Sequence, residues 1–353
     1  MGILKRVCLT VVASALLISM AAVAADRPRI GVVIPDLSNI FWDRYREFMV
    51  DGAKELDIDL IVLNANNKPD NMIKGLEDLV AQEVDGIIFT PYWESATRGV
   101  SLAHEAGIPV VLTDCFADFG PQEARFPNYI GYVGPFDEDG GYEMASVLIK
   151  AMKPGPDGKK VIGVINGTAG TTVAIGRRAG LERALKENPD VVVAGELDSN
   201  FLRDIALTKF ESLYQGHPEI TGVWTANGES AVGAIAAIKA AGKVPGKDVL
   251  VVSLNLDPEN VELVKKGEQI FDLGGHWLQG GFGLVMLYDH IKGFTVPKDR
   301  ANVLLRFLPL TQELVPQFEK DFPNGMPVYD FKKFSKAYNP NAEFAEFIMK
   351  YSN

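Results

Sequence analysis

Arg29-Ile30-Gly31-Val32-Val33-Ile34-Pro35-Asp36-Leu37-Ser38-Asn39-Ile40-Phe41-Trp42 decides how the rest of the chain is read. Ile30 to Ile34 is an unbroken apolar run, the mark of a strand covered on both faces. Ser38 or Asn39 is suited to cap a helix. Behind them Phe41, Tyr45, Phe48, Met49, Ala53 and Leu56 recur at helical spacing, so one stripe of that helix faces a core. A buried strand followed by an amphipathic helix is half of a parallel βαβ unit.

The unit repeats outward from there. Strand-like runs recur at Leu60–Leu63, Gly86–Thr90, Pro109–Thr113 and Tyr129–Val133, with helical stretches near Asp70–Gln82 and Ser95–Ala106. A second series has strands at Val161–Ile165, Val191–Glu196, Gly222–Ala226, Leu250–Ser253 and Ile270–Leu273. Its helices lie near Val173–Glu187, Ile205–Tyr214, Glu229–Ala240, Glu259–Lys266 and Trp277–Ile291. A crowd of turn residues, Lys153-Pro154-Gly155-Pro156-Asp157-Gly158, separates the two sets. Ten strands in one open sheet are uncommon, and the expectation is an α/β protein of two doubly wound parallel-sheet lobes. The length of 353 residues suits two ordinary cores.

Composition narrows the chemistry. Lysine plus arginine number 35 against 46 acids, a formal charge of −11, which disfavours nucleic acid and anionic lipid as partners. Lys5 and Arg6, the apolar run Val7 to Val23 and the small residues Ala21 to Ala25 have the three-part layout of a secretory signal. Cleavage is expected after Ala24 or Ala25. Residues 1–25 are therefore read as an address and the product as periplasmic. Removing two bases leaves 33 against 46 acids, a charge of −13. Cys8 lies at the front of the apolar run, away from the point where a lipid-bearing cysteine would stand. Cys115 is then the only cysteine left, and no cysteine–histidine cluster reads as a metal site.

In doubly wound sheets ligands sit beyond the carboxyl ends of the strands. Those ends carry Pro35–Asn39, Asn64–Asn67, Thr90–Trp93 and Thr113–Cys115 in the first set. In the second they carry Asn166–Thr168, Asp198–Phe201, Ala226–Gly228, Ser253–Asn255 and Gly275–Trp277. Amides and acids offer planar hydrogen bonds to hydroxyls, and aromatic faces cover the apolar side of a sugar ring. Catalytic signatures do not assemble. Gly167–Thr172 is glycine-rich but lacks the phosphate-loop lysine, and Gly228–Gly233 has one residue too many for a nucleophile elbow. His104 and His290 read as helix residues and His217 as a turn, while His276, at a strand end, is divided between site and scaffold. The chain is expected to be no enzyme and to need no cofactor or metal.

These residues resemble the type I periplasmic solute-binding proteins of the ribose-binding kind over roughly Arg29 to Gln312. The likeness is carried by Ile30–Ile34, Ser38–Trp42, Asp85–Ile88, Gly107–Val111, Thr113-Asp114, Asn227 and Ser253–Glu259. The run Gly274–Phe282, the segment Leu284–Asp289 and a C-terminal stretch ending Phe331–Pro340 look closest to the branch near the autoinducer-2-binding sensor protein. The resemblance implies two lobes joined by a three-segment hinge near Gly134–Phe136, Gly275–His276 and Leu304–Phe307. It divides the chain into a first lobe of 26–134 plus 277–304, a second of 135–275 plus 305–315, and an extension of 316–353. It implies ligand contacts at Asn39, Phe41, Trp42, Asp114, Phe201, Asn227 and Asn255.

Three departures from the family pattern stand out. Cys115 follows the aspartate where an arginine is common, Ile175 takes a second arginine position with Arg177 and Arg178 facing elsewhere, and Asn255 replaces an acid. The expected ligand is thus small, neutral, polar and sugar-like, with fewer hydroxyls than ribose or more bulk. The residues themselves add Trp93, Cys115 and His276 as candidates, Cys115 either as pocket wall or as buried apolar filler. Of the consecutive Phe41 and Trp42, one is expected to face the cleft. The implied activity is capture by hinge closure and delivery to an ABC permease, by a monomer. The alternative is a sensory receptor docking on a membrane histidine kinase.

Overall fold

A computed structural model of the chain describes residues 27–342 and 349–352; the expected leader lies outside the described residues. Two six-stranded sheets organise it. The first is built from β1 (Arg29–Ile34), β2 (Asp59–Asn64), β3 (Gly86–Phe89), β4 (Val110–Thr113), β5 (Tyr129–Pro135) and β11 (Asn302–Leu305), in the order β11-β5-β4-β3-β1-β2. The second holds β6 (Lys160–Asn166), β7 (Val191–Asp198), β8 (Gly222–Thr225), β9 (Leu250–Asn255), β10 (Phe271–Gly274) and β12 (Leu308–Leu310), in the order β12-β10-β9-β8-β6-β7. All described pairings of these strands are parallel except β10 with β12.

The helices of the first lobe are α1 (Ile40–Leu56), α2 (Pro69–Ala81) and α3 (Ala96–Glu105). The second lobe has α4 (Asp137–Ala151), α5 (Thr172–Glu187), α6 (Arg203–Gly216), α7 (Gly228–Ala240) and α8 (Pro258–Lys266). After a 3-10 turn at His276–Leu278, α9 (Gln279–Ile291) returns to the first sheet and packs on α1. The apolar faces inferred from spacing are buried: Phe41, Tyr45, Phe48, Met49, Ala53 and Leu56 of α1 all lie inside.

The chain passes between sheets at Phe136, at Gly275–His276 and at Arg306–Phe307. Strands β11 and β12, absent from the ten expected, bracket the third passage. Helix α4 was also not legible, because its first turns are Asp-Glu-Asp-Gly-Gly and show no apolar stripe. The turn-rich stretch 153–158 consequently lies within the second lobe, between α4 and β6, and does not divide the lobes.

A C-terminal segment continues beyond β12. Helix α10 (Val315–Asp321) packs against α8, and the single turn α11 (Phe331–Phe334) packs against α1. Phe331 is buried, and the Asp289 carboxylate of α9 accepts hydrogen bonds from Ser335 Oγ, Lys336 N and Ala337 N. Tyr351 donates back to the Pro309 carbonyl of β12 at 2.7 Å.

Candidate functional site

Strand ends of both sheets meet in one hollow of about 490 Å³, mouth included, between the lobes. From the first lobe Pro35, Asp36, Asn39, Phe41, Trp42, Asn67, Tyr92 and Asp114 line it. From the second come Thr168, Val173, Arg177, Asn200, Phe201, Leu202, Asn227 and Asn255, with His276 on the passage between them. The lobes touch at its rim, where Phe116 N donates to Thr172 Oγ1 at 3.2 Å.

Asn39 occupies the N-cap of α1, its side chain accepting from Phe41 N at 3.0 Å. This seats the first turn of the helix at the cleft and brings Phe41 and Trp42 there together, their rings edge to face at 4.9 Å. Both members of the pair line the hollow, where spacing alone led us to expect at least one. Neighbouring residues diverge along a helix side, but the hollow lies across the helix end, where first-turn side chains all ring the axis. Trp42 also meets Tyr92 edge to face at 6.0 Å, and Phe41 lies 4.5 Å from the His276 ring.

Asp114 follows β4 in a left-handed conformation, φ 64°. Its backbone is fixed by N–H bonds to Val133 O and Gln279 Oε1 and by Tyr132 Oη donating to its carbonyl at 2.7 Å. Gln279 Nε2 donates to Oδ1 at 2.9 Å, and Tyr92 Oη to Oδ2 at 3.3 Å. Burial raises its pKa, opposed by the Gln279 bond and the Arg177 charge.

Across the hollow, Asn227 caps α7, with Oδ1 accepting from Ser230 N and Nδ2 donating to the Phe201 carbonyl at 3.2 Å. Phe201 itself adopts φ 61°. Asn255 donates from Nδ2 to Asp257 Oδ2 at 2.9 Å, which leaves its oxygen to accept.

Arg177 overturns the reading that it faces elsewhere. It is buried in the hollow's wall, bonding Asp137 Oδ1 and the Ala226 carbonyl, each at 2.7 Å, with Nη2 3.4 Å from His276 Nε2. The sequence signal was available. Arg177 is four residues after Val173, so the two share a face of α5, and helical side chains lean toward the N-terminus, here the cleft. Burial pushes Asp137 up to about 7 against the pull of Arg177. Burial and the Arg177 charge hold His276 well below the usual imidazole range, so it is neutral. Facing a guanidinium donor with Nε2, His276 carries its proton on Nδ1, which has no partner among the described residues.

Trp93 and Cys115 are not among the lining residues. Trp93 turns back, half-buried, to lie 5.6 Å edge to face from Tyr92. Cys115 is 1% exposed in the core beneath the site, its thiol pushed up by burial. Ile175, at the position where an arginine was looked for, is 60% exposed and lies outside the hollow. Tyr92, Asn67, Thr168 and Asn200 stand at strand ends already singled out, yet residue type alone did not separate them from ordinary loop polarity. The lining offers hydrogen-bond donors and acceptors between aromatic faces, and among the described residues no serine, cysteine or lysine belongs to it.

The chain is similar to known proteins in sequence and in fold. The family model described as the periplasmic binding protein domain matches residues 30–293. The ribose import binding protein of Salmonella typhimurium is 28% identical over 266 residues, covering 75% of this chain and 85% of that one. The D-allose-binding periplasmic protein of Escherichia coli is 28% identical, covering 81% and 91%. Among solved structures, a periplasmic sugar-binding protein from Pseudomonas fluorescens aligns with a TM-score of 0.79 at 27% identity, covering 88% of this chain and 95% of that one.

Proposed function

The chain belongs to the periplasmic binding protein family, and we propose that it captures a small, neutral, sugar-like ligand between its lobes and presents it to an ABC importer. One observation carries this reading: strand-end amides, a buried acid and aromatic rings from both sheets converge on one partly open hollow between the lobes. Asp114, Asn227 and Asn255 serve as hydrogen-bond partners for hydroxyls, and Phe41, Trp42 and Phe201 cover the apolar faces of the ring. Arg177, the guanidinium that lines the wall among the described residues, commits Nε to Asp137 and Nη1 to Ala226, so fewer of its charge-assisted bonds remain for the ligand. This supports a ligand with fewer hydroxyls than ribose, or one that fills the space by bulk.

The three passages act as the hinge. Closure buries the ligand and joins the outer rims of both lobes into one surface, which the membrane partner reads because ligand shifts the population toward it. The protein works as an exported monomer, released from a leader cleaved after Ala24 or Ala25. Binding is its whole task, without turnover. The alternative reading as a kinase-docking sensor, and the likeness to the autoinducer-2 branch, gain no support from these relatives, whose names speak of import and sugar binding.

A thermal-shift panel of pentoses, hexoses, their deoxy forms and polyols tests the reading. A ligand that binds only the folded chain raises its melting temperature, and small-angle scattering on the same complex should record a smaller radius of gyration. Absence of any shift across the panel at millimolar concentration would count against sugar capture.

A further inference from the structure

Arg44 is a buried cation outside the ligand hollow that the binding site does not use. It lies on α1, 4% exposed, its guanidinium 5.1 Å from the centre of the Trp277 ring. Nη1 donates to the Leu256 carbonyl of the second lobe at 3.3 Å, and Nη2 to the Asn324 carbonyl of the C-terminal segment at 3.4 Å. Both bonds are long, and Nε has no partner among the described residues. A buried guanidinium this loosely bonded needs an anion close by. Asp257, next in the chain to the Leu256 that Arg44 bonds, puts a negative charge within electrostatic reach, without an ion-pair contact among the described residues. Its carboxylate is 2% exposed, and Oδ1 likewise lacks a partner among the described residues; burial disfavours both charges, lowering Arg44 and raising Asp257 to about 6, and each charge opposes that effect on the other.

Asp257 reaches the ligand hollow through one bond. Its Oδ2 accepts from Asn255 Nδ2, which orients the amide and reserves Asn255 Oδ1 for a ligand hydroxyl. The piece of chain that supplies Asn324 is itself fastened to both lobes, by Glu319 to Lys265 on one side and by Phe331 beneath α1 on the other. Arg44 therefore touches three separate parts of the molecule, and these come together only where the lobes meet.

We propose that Arg44 is a positioning residue for ligand capture, a clasp from the first lobe that holds the second lobe and the C-terminal segment in the closed arrangement. This rests on the closure reading above. When the lobes part, the guanidinium leaves the Leu256 carbonyl, and the second lobe loses this tie to α1. The clasp thus adds to the closed state a contact that the ligand itself does not make.

The test uses the full-length chain and the variants Arg44→Ala, Arg44→Lys and Gly325→Ala. Gly325 has φ +66°, and a Cβ there would stand 2.7 Å from Arg44 Nη2, so alanine dislodges the clasp from the opposite side. D-ribose and D-allose serve as probes. Release is followed by tryptophan fluorescence, and lobe separation without ligand by small-angle scattering. Arg44→Ala should release a bound probe roughly tenfold faster and enlarge the ligand-free radius of gyration. Gly325→Ala should change both in the same direction, and Arg44→Lys should fall between. A residue with only a packing role would lower the melting temperature while leaving release and radius unchanged, and that result in folded Arg44→Ala or Gly325→Ala overturns the proposal. Failure of both sugars to stabilise the wild type counts against sugar capture alone, and the scattering then decides the clasp.

Discussion

Asp114 is the side chain on which capture depends most directly. Gln279 and Tyr92 hold its carboxylate, which faces the hollow with acceptor capacity to spare. Asp114→Ala should abolish the ligand-induced rise in melting temperature while the unliganded chain stays folded at a cost of about 1–3 kcal/mol, the penalty for donors left without an acceptor. Calorimetry with and without ligand checks both halves. A second expectation concerns pH. Burial raises Asp137 to about 7 and Asp272 well above the carboxylate range. Such acids hold more protons folded than unfolded, so stability falls as pH climbs toward their native values. His276 acts in the opposite sense, but only below its ordinary value of 6.5. The melting temperature of the ligand-free chain should therefore decline as pH rises from about 5 to about 7, the value of Asp137, and Asp272→Asn should flatten the slope; a profile that rises over this interval contradicts the assignment.

Between elements, the contact of α4 with α5 is made by backbone. A Cβ at Gly141 would stand 2.0 Å from the Arg177 carbonyl oxygen, and one at Gly180 2.0 Å from that of Glu138. Gly180→Ala must push the helices apart, which should destabilise the chain by about 1–3 kcal/mol. Because α5 carries Arg177 and Val173 into the hollow, the same variant should weaken ligand binding; denaturant unfolding and a binding titration read the two effects separately. This contact also explains why α4 was not legible in the sequence. Its N-terminal half packs through glycine and leaves no side-chain periodicity, whereas α1, which packs through Tyr45, Phe48 and Met49, was plain. Strand β12 was missed for a related reason. Three residues pairing antiparallel at a sheet edge produce no pattern that separates them from a loop.

Over the whole molecule, the C-terminal segment does more than trail from the second lobe. Phe331 fills a space between α1 and α9 that Gly52 and Gly281 leave open, and Phe48 packs on its ring at 5.0 Å. Phe331→Ala should cost about 3–5 kcal/mol, as for other buried aromatics cut to alanine. Equilibrium unfolding in guanidinium measures it, and a loss below about 1 kcal/mol would show the segment to be peripheral to the first lobe's core. The two sheets and the passages between them place the hollow between the lobes, lined by residues of both.

The amino-acid order alone determined the repeating strand–helix units, the two sets of strands and the strand ends where polar and aromatic residues gather. Those features arise from spacing along the chain, and burial on a sheet or a helix face imposes that spacing locally. Tertiary structure decided which strand-end residues share one space: it brought Phe41 and Trp42 in together, turned Arg177 inward and set Trp93 and Cys115 aside. It also joined Arg44 to Leu256, 212 positions along the chain. Such meetings depend on how two lobes and a crossing segment are arranged in space, and no periodicity along the chain encodes a distance between elements that touch only after folding.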